Sequence, residues 1–462
     1  MNVLKRLGRV FAAVIGLIVA AYLVLLAINW RDQPPSATVR QFEQELAHRP
    51  NVADADNAYL FTLGFGSPPD SDPMAIGLER RDWIVENAGK AHPDSSSDPL
   101  PGQYDPQPGR SPAVAELAEL CRDGKGKCIG RVVAQPDTAM QWLAEDAWLL
   151  DRYDELISKP EFLETIDMNV DAPLPSYAMV FDGQRLLFVS AYLAAADSDE
   201  DAVLVALNKD LAFWRMVLAN SDLLITKVIA TAAITYHFDM GNQVLRVLQS
   251  RVDSETVPET WLAGIDDAER SVHRTLVGEW QFSDRMMKSV TSDSMNPLAR
   301  DYFTGPNWLE KTSWRLLFPF WQAQDLSNRR AALLKHYIEI FDVPYREVPD
   351  ARKRAAADSA ETGWRLGGAY NLAGRLAYEE EYDMFIPYVA RVLDLEGVRR
   401  AAAVTALLRE ARVMPTDIAG MLDKADLTNP YTGKPFGWDE QTGEVIFVGL
   451  EKGPRGEHRF RY

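Results

Sequence analysis

The sequence has little cysteine, little histidine and no excess of positive charge. Its 462 residues include two Cys and six His, and 67 acidic residues outnumber 49 Lys and Arg, for a formal net charge of −18. Two Cys exclude a disulfide-rich scaffold and a cysteine-rich zinc protein. The acidic balance argues against a nucleic-acid partner, because phosphate backbones repel such a surface. A hydrophobic fraction of 47% and 12 Trp exclude a wholly disordered chain.

The common catalytic and metal-binding motifs are also missing from the sequence. It contains neither HExxH nor GxSxG, and residues 64–69 (GFGSPP) lack the third glycine of a dinucleotide-binding loop. Glu269 and His273 have the i,i+4 spacing that puts two side chains on one helix face, but two ligands do not complete a metal site. We therefore predict no metal and no cofactor, and we assign no catalytic residue.

Only one hydrophobic run is long enough to cross a membrane. Residues 10–28 (VFAAVIGLIVAAYLVLLAI) carry no charge, and at about 1.5 Å per residue they nearly span a hydrocarbon core of about 30 Å. Lys5, Arg6 and Arg9 precede the run, which favours a cytoplasmic N terminus. The alternative is a cleaved signal peptide, but the run is longer than the apolar region of a typical signal peptide and no small-x-small site follows it. We predict a cytoplasmic stub at residues 1–9, a transmembrane anchor at residues 10–28 and a linker at residues 29–37.

The rest of the chain divides by composition and periodicity. Residues 38–140 form a mixed region with a Pro-rich loop at 92–112, and residues 141–428 have helical periodicity. One apolar stripe, within 201–219, is Val203, Leu207, Leu211, Trp214 and Leu218. A second stripe, which predicts one helix across 263–287, is Ile265, Ala268, Val272, Leu276 and Trp280. Short joins between helices indicate antiparallel neighbours. We predict a mainly α fold, with an N-terminal transmembrane helix, an irregular α-helical bundle or α-solenoid, and a small C-terminal β-hairpin.

The two cysteines lie close together in the sequence. Cys121 and Cys128 bracket RDGKGK, a Gly-containing turn that can bring both ends together. Outside the cytoplasm such a pair forms a structural disulfide. A redox pair is the alternative, but redox pairs usually have C-x-x-C spacing. We predict a disulfide between Cys121 and Cys128.

The C-terminal segment 429–462 begins with turn residues and a hairpin pattern. In 429–449 (NPYTGKPFGWDEQTGEVIFVG), two strand patterns at 434–438 and 444–448 flank a DEQTG turn. These residues resemble the end of the major pseudopilins of type II secretion systems. The pilin methylation motif and the acidic calcium ligands are absent, so the resemblance implies a local hairpin and a bacterial origin but neither calcium binding nor a pilus role.

The stretch 56–65 (DNAYLFTLGF), together with the anchor and this tail, resembles uncharacterised membrane-anchored helical envelope proteins of Gram-negative bacteria. That resemblance implies no activity. Combined with the anchor, it predicts a single-pass protein of the bacterial inner membrane, with its N terminus in the cytoplasm and its main body in the periplasm.

Aromatic side chains crowd the segment 302–321. Trp308, Trp314 and Trp321 are candidate ligand-binding residues, because aromatic platforms can stack sugars. The same residues could anchor a protein interface or fill a helical core. We predict a membrane-anchored extracytoplasmic protein that binds or scaffolds an envelope protein and does not bind nucleic acid. The alternatives are an α-helical hydrolase or lyase acting on envelope glycans, with Glu310 as general acid, and an assembly factor for a secretion machine.

Overall fold

The computed structural model describes residues 2–87, 110–121, 130, 134–166, 174–290, 316–361, 369–377, 385–451 and 453–462. Cys128, Trp308, Glu310, Trp314 and most of the predicted Pro-rich loop lie outside these residues.

The described chain is mainly α-helical, as the periodicity predicts. The helices of the N-terminal half are α1 (Asn2–Ile28), α2 (Ala37–Ala47), α3 (Ala58–Gly64), α4 (Pro73–Asn87), α5 (Pro112–Leu120), α6 (Pro136–Glu145), α7 (Ala147–Leu156), α8 (Tyr177–Ala196) and α9 (Glu200–Asn220). Those of the C-terminal half are α10 (Leu224–Gln249), α11 (Glu259–Leu262), α12 (Asp267–Arg270), α13 (His273–Ser289), α14 (Ala323–Phe341), α15 (Val348–Glu361), α16 (Leu372–Ala377), α17 (Ile386–Glu410) and α18 (Ile418–Leu422).

The main core surrounds α10, which packs against α8, α9 and α17. The stripe predicted on α9 is confirmed, since all five of its side chains are buried. Such a stripe faces the core because successive members lie three or four residues apart on a helix of 3.6 residues per turn. Helices α13 and α14 pack against each other beside this core, and α2 lies across both. The arrangement is the irregular helical bundle that the sequence predicts.

The prediction of one helix across 263–287 is wrong. The chain forms the short helix α12 and then starts again at α13, because Ser271 between them is extended. A capping box ties Asp266 to Glu269, and the Glu269 carboxylate also binds the Arg215 guanidinium with two contacts of 2.6 and 2.8 Å. These contacts hold α12 as a separate turn. Ala268, a predicted stripe member, is therefore exposed.

The C-terminal hairpin is confirmed and gains a third strand. Strands β1 (Gly437–Asp439), β2 (Glu444–Val448) and β3 (Glu457–Arg461) form an antiparallel sheet in the order β1-β2-β3. Val445 and Phe447 of β2 and Phe460 of β3 are buried, since alternate residues of a strand share one face. That face packs against α17. The tail is thus part of the body rather than an appendage.

Candidate functional site: the junction between the first helix and the body

The first helix contains the one segment, among the described residues, that is long and apolar enough to span a membrane, Arg6–Ile28. Most of its large apolar side chains are exposed, including those of Leu17, Ile18, Leu23 and Val24. A soluble protein rarely exposes so large an apolar surface. The composition and exposure of this helix are compatible with a single-pass membrane anchor.

The last two turns of α1 contact the body through a second, smaller core. Tyr22, Leu25 and Leu26 pack against buried residues, and these are Met287, Val290, Phe320, Trp321, Leu326 and Ala373. The ring of Tyr22 meets the ring of Phe320 edge-on, with centroids 5.3 Å apart. The three residues on α1 lie on one helix face because they are three and four positions apart. The helix therefore presents one narrow face to the body and leaves the rest open.

Polar contacts continue this docking beyond the end of α1. We call the contact of residues 29–36 with the start of α14 and with Asn371 the junction. The side chain of Asn29 donates from Nδ2 to the carbonyl oxygens of Leu25 and Ala369 at 2.9 and 2.8 Å. Its Oδ1 accepts from the backbone N–H of Asn371 at 2.6 Å, and its carbonyl accepts from Nε2 of Gln322 at 2.8 Å. Only 4% of Asn29 is exposed, so its amide is buried with its donors and acceptor paired.

Asn371 is the second buried amide of the junction. Its backbone has a φ of 53°, in the left-handed region that asparagine tolerates better than most residues. Its Oδ1 accepts from the Gln322 N–H at 2.9 Å, and its Nδ2 donates to the Gln322 carbonyl at 3.0 Å and to the Asp325 carboxylate at 2.8 Å. One side chain therefore joins the start of α16 to the start of α14.

Asp32 caps α14 from outside that helix. Its two carboxylate oxygens accept from the N–H groups of Gln324 and Asp325 at 2.7 and 3.1 Å. A carboxylate is favoured there because the first N–H groups of a helix lack partners and carry partial positive charge. The Tyr370 hydroxyl also donates to Asp32 at 3.3 Å. Partial burial, and then the nearby Asp32 charge, raise the pKa of Tyr370 to about 12.

The contacts reach one turn further along α14. The Ser36 N–H donates to Oδ1 of Asn328 at 2.9 Å, and Nδ2 of Asn328 donates to the Pro34 carbonyl at 3.0 Å. Ser36 in turn caps α2, because its Oγ accepts from the Val39 N–H. The segment 29–37 was predicted as a linker, and the domain division stays a prediction. Residues 29–36 are hydrogen-bonded to the body at several points along their length.

Trp321 is the member of the predicted ligand-binding set that the structure describes, and it lies in the second core, directly before Gln322 of the junction. The side chain is 5% exposed and its Nε1–H donates to the Met287 carbonyl at 3.1 Å. Its ring therefore fills the second core. Trp308 and Trp314 lie outside the described residues, so ligand binding by the three stays a prediction. Cys121 is buried at the C-terminal end of α5, and its predicted disulfide to Cys128 likewise stays a prediction.

A second group of buried polar side chains lies in the main core, around Asp210. His237 contacts this carboxylate through Nδ1 at 2.7 Å, while its Nε2 accepts from the indole N–H of Trp261 at 2.9 Å. Tyr153 donates to the other carboxylate oxygen of Asp210, and Gln184 donates to both oxygens. Burial, and then the Asp210 charge, raise the pKa of Tyr153. All five side chains are fully or almost fully buried, so this network joins α7, α8, α9, α10 and α11 in the core.

Glu269 and His273, the two residues considered above for metal binding, have other partners. Glu269 binds Arg215, and Nε2 of His273 contacts Glu45 of α2 at 2.7 Å. Among the described residues, no three His, Cys, Asp or Glu side chains are grouped closely enough to hold a metal ion. An open groove between α7 and α8 carries the acids Asp151, Asp154 and Glu155. Asp154 forms an ion pair with Lys209 at 2.6 Å, as is usual on a solvated surface.

The chain matches no protein-family model, no curated protein and no solved structure. Its function is therefore inferred from its own geometry. The junction is the site that this geometry favours, because buried polar groups there join the candidate membrane helix to the body.

Most junction residues have no signal in the sequence that would single them out. Asn29, Gln322 and Asn371 are isolated amides, and Asn371 lies 342 positions from Asn29. The only local hint is that Asn29 follows directly on the apolar run. The sequence pointed instead to three tryptophans between positions 308 and 321, of which Trp321 lies in the second core beside the junction.

Proposed function

We propose that this chain is a single-pass protein of the bacterial inner membrane whose periplasmic body binds or scaffolds an envelope protein. The observation that carries the proposal is the junction. A flexible tether would let the body rotate freely about the anchor. Here Asn29, Asp32 and Ser36 are hydrogen-bonded to the body directly after α1. The body therefore keeps one orientation relative to α1, which is what a scaffold needs to present a fixed surface to a partner in the same membrane.

The charge distribution supports the proposed orientation. Lys5, Arg6 and Arg9 precede the apolar run, and cations close to a span favour the cytoplasmic side. The remainder of the chain is strongly acidic. Such a body is repelled by the anionic lipids of a cytoplasmic leaflet. Both features favour an N terminus in the cytoplasm and a body in the periplasm.

The anchor and its orientation are tested on cells that express the full-length chain. We expect the protein to stay in the membrane pellet after extraction with alkaline carbonate. In spheroplasts, added protease should degrade the body, while a tag at the N terminus should survive until the membrane is broken. Release by carbonate would contradict the anchor, and a protected body would contradict the orientation.

Scaffolding is tested by chemical crosslinking and pull-down of the tagged full-length chain from intact membranes. We expect one abundant envelope protein in stoichiometric yield. The matched control carries a Gly-Ser-Gly insertion between Ile28 and Asn29, which separates α1 from the junction but leaves the anchor intact. Its crosslinking yield should fall. Absence of any stoichiometric partner of the parent chain, or equal yields from both chains, would contradict the proposal.

A further inference from the structure

A short apolar segment of the body runs alongside α1 at a depth that lies inside the expected membrane span. Leu316 and Leu317 have helical backbone and lead into the 3₁₀ helix Phe318–Phe320. The Tyr22 hydroxyl donates to the Leu316 carbonyl at 3.1 Å. Together with the ring contact between Tyr22 and Phe320, this hydrogen bond places the segment level with Tyr22.

The depth of Tyr22 follows from the length of the helix. Arg9 is the last charged residue before the apolar run, and Tyr22 lies 13 residues beyond it, or about 20 Å at 1.5 Å per residue. Because a hydrocarbon core is about 30 Å thick, Tyr22 would lie about 10 Å below its far boundary. Counting back from the C-terminal end of α1 gives nearly the same depth, because Tyr22 precedes Ile28, the last residue of the helix, by six residues or about 9 Å.

We propose that the segment 316–320 lies within the outer part of the bilayer beside α1, so that lipid covers its exposed face. This inference rests on the proposed membrane anchor. The body would then contact the membrane in two places, through the span and through a second, shallow insertion. The occupant of this apolar surface is lipid, because the segment contacts α1 at Tyr22, and the next side chains of that helix, Leu23 and Val24, are exposed and apolar.

The exposed side chains of the segment suit lipid. Leu316 is 57% exposed, Pro319 is also exposed, and Leu317 and Phe318 are partly exposed. No residue from 316 to 321 carries a charge. Beyond the end of α1, Trp30 is 79% exposed. Tryptophan is enriched at the level of the lipid headgroups, so the boundary of the membrane would lie near Trp30, above the segment.

Three features of the backbone of the segment also suit a region without water. Within hydrocarbon, each N–H and C=O group needs a protein partner. The Leu316 carbonyl accepts from Tyr22, the Phe318 carbonyl accepts from the Trp321 N–H at 3.0 Å, and Pro319 has no N–H. The same contact gives the Tyr22 hydroxyl an acceptor that the hydrocarbon tails of lipids could not provide. The Tyr22 hydroxyl and the Leu316 carbonyl thus pair with each other.

The test measures the surroundings of position 316 in the full-length protein reconstituted into liposomes. Leu316→Cys is labelled with an environment-sensitive fluorescent thiol reagent, and the unsubstituted chain treated in the same way gives the background from the native cysteines. Met414→Cys is the matched control, because Met414 is similarly exposed, at 63%, and belongs to no part of the second core. Quenching is then compared between brominated lipids in the bilayer and iodide in the water.

We expect the probe at position 316 to lose fluorescence in brominated lipids and to be protected from iodide, with the reverse at position 414. Equal quenching by iodide at both positions would overturn the inference. Protection from both quenchers would also overturn it, because protein rather than lipid would then cover the segment. Carbonate extraction of the same samples separates the two proposals, since release of the chain would remove the anchor itself.

Discussion

Substitution of Asn371 tests the junction most directly. Asn371→Ala removes three side-chain hydrogen bonds, two with the backbone of Gln322 and one with the Asp325 carboxylate. All of these groups are buried, and the Gln322 N–H is left without a partner, which costs about 1–3 kcal/mol. The Gln322 carbonyl keeps the Leu326 N–H and the Asp325 carboxylate keeps Arg329, so each of these two lost bonds costs about 0.5–1.5 kcal/mol. Alanine at a φ of 53° costs about 1 kcal/mol more. We expect the free energy of unfolding to fall by about 3–7 kcal/mol, with the lower value applying if water enters the space left.

Asn371→Gly is the matched control for this prediction. Glycine tolerates the left-handed backbone but lacks the amide, so it should lose the hydrogen bonds without the conformational cost. The alanine variant should therefore be less stable than the glycine variant by about 1 kcal/mol. This difference separates the backbone contribution from the side-chain contribution.

The assay is denaturant unfolding of the full-length chain in detergent, combined with hydrogen exchange at the start of α14. The backbone N–H of Gln322 loses its acceptor, Oδ1 of Asn371, in both variants, so this N–H should exchange faster in both. If both variants unfold within about 0.5 kcal/mol of the parent chain, and the Gln322 amide exchanges at the parent rate, the junction does not hold the body as we infer.

Three further predictions concern other parts of the molecule. Burial raises the pKa of Asp239 to about 8. The native state therefore keeps a proton that the unfolded chain releases near pH 4, so the free energy of unfolding falls as the pH rises from about 4 to about 8. Asp239→Asn should gain stability relative to the parent over that interval, by up to a few kcal/mol, and parallel unfolding curves at pH 5, 7 and 9 would refute this. A Cβ on Gly397 would overlap the ring of Phe447, so Gly397→Ala should lower the free energy of unfolding by about 1–3 kcal/mol. Gly420→Ala, with open space around it, should not lower it, and equal effects of the two substitutions in chemical denaturation would contradict the packing. Tyr22→Phe should speed hydrogen exchange in the segment that its hydroxyl contacts, because the lost bond is worth about 1 kcal/mol in a membrane; unchanged exchange in proteoliposomes would count against that contact.

The helical periodicity of α9 shows which features of the fold could be predicted from residues that are close together in the sequence. Val203, Leu207, Leu211, Trp214 and Leu218 are all buried, because a helix presents residues of that spacing on one face whatever it packs against. The C-terminal hairpin was predictable for a similar reason, since its turn residues and alternating strand are adjacent in sequence. Its third strand lacked such a local signal.

The same periodicity failed where side chains from elsewhere decided the backbone. The stripe from Ile265 to Trp280 continues through Ser271, yet the helix breaks there. Arg215 of α9 holds Glu269 of α12, and the capping box closes that turn. The spacing of apolar residues in this stripe carries no information about Glu269, which lies between two of them, or about its contact with the distant Arg215.

The sequence by itself determined the apolar first helix, the mainly helical body and the turn-rich tail, because each depends on residues that are close together in the chain. Only the tertiary structure decided that Asn29 meets Asn371, that Trp321 fills a core and that Leu316 runs beside Tyr22. Hydrogen bonds of single amides between segments about 300 residues apart leave no periodic pattern. They depend on how all the intervening helices pack, and for this reason the junction could not be found before the fold was known.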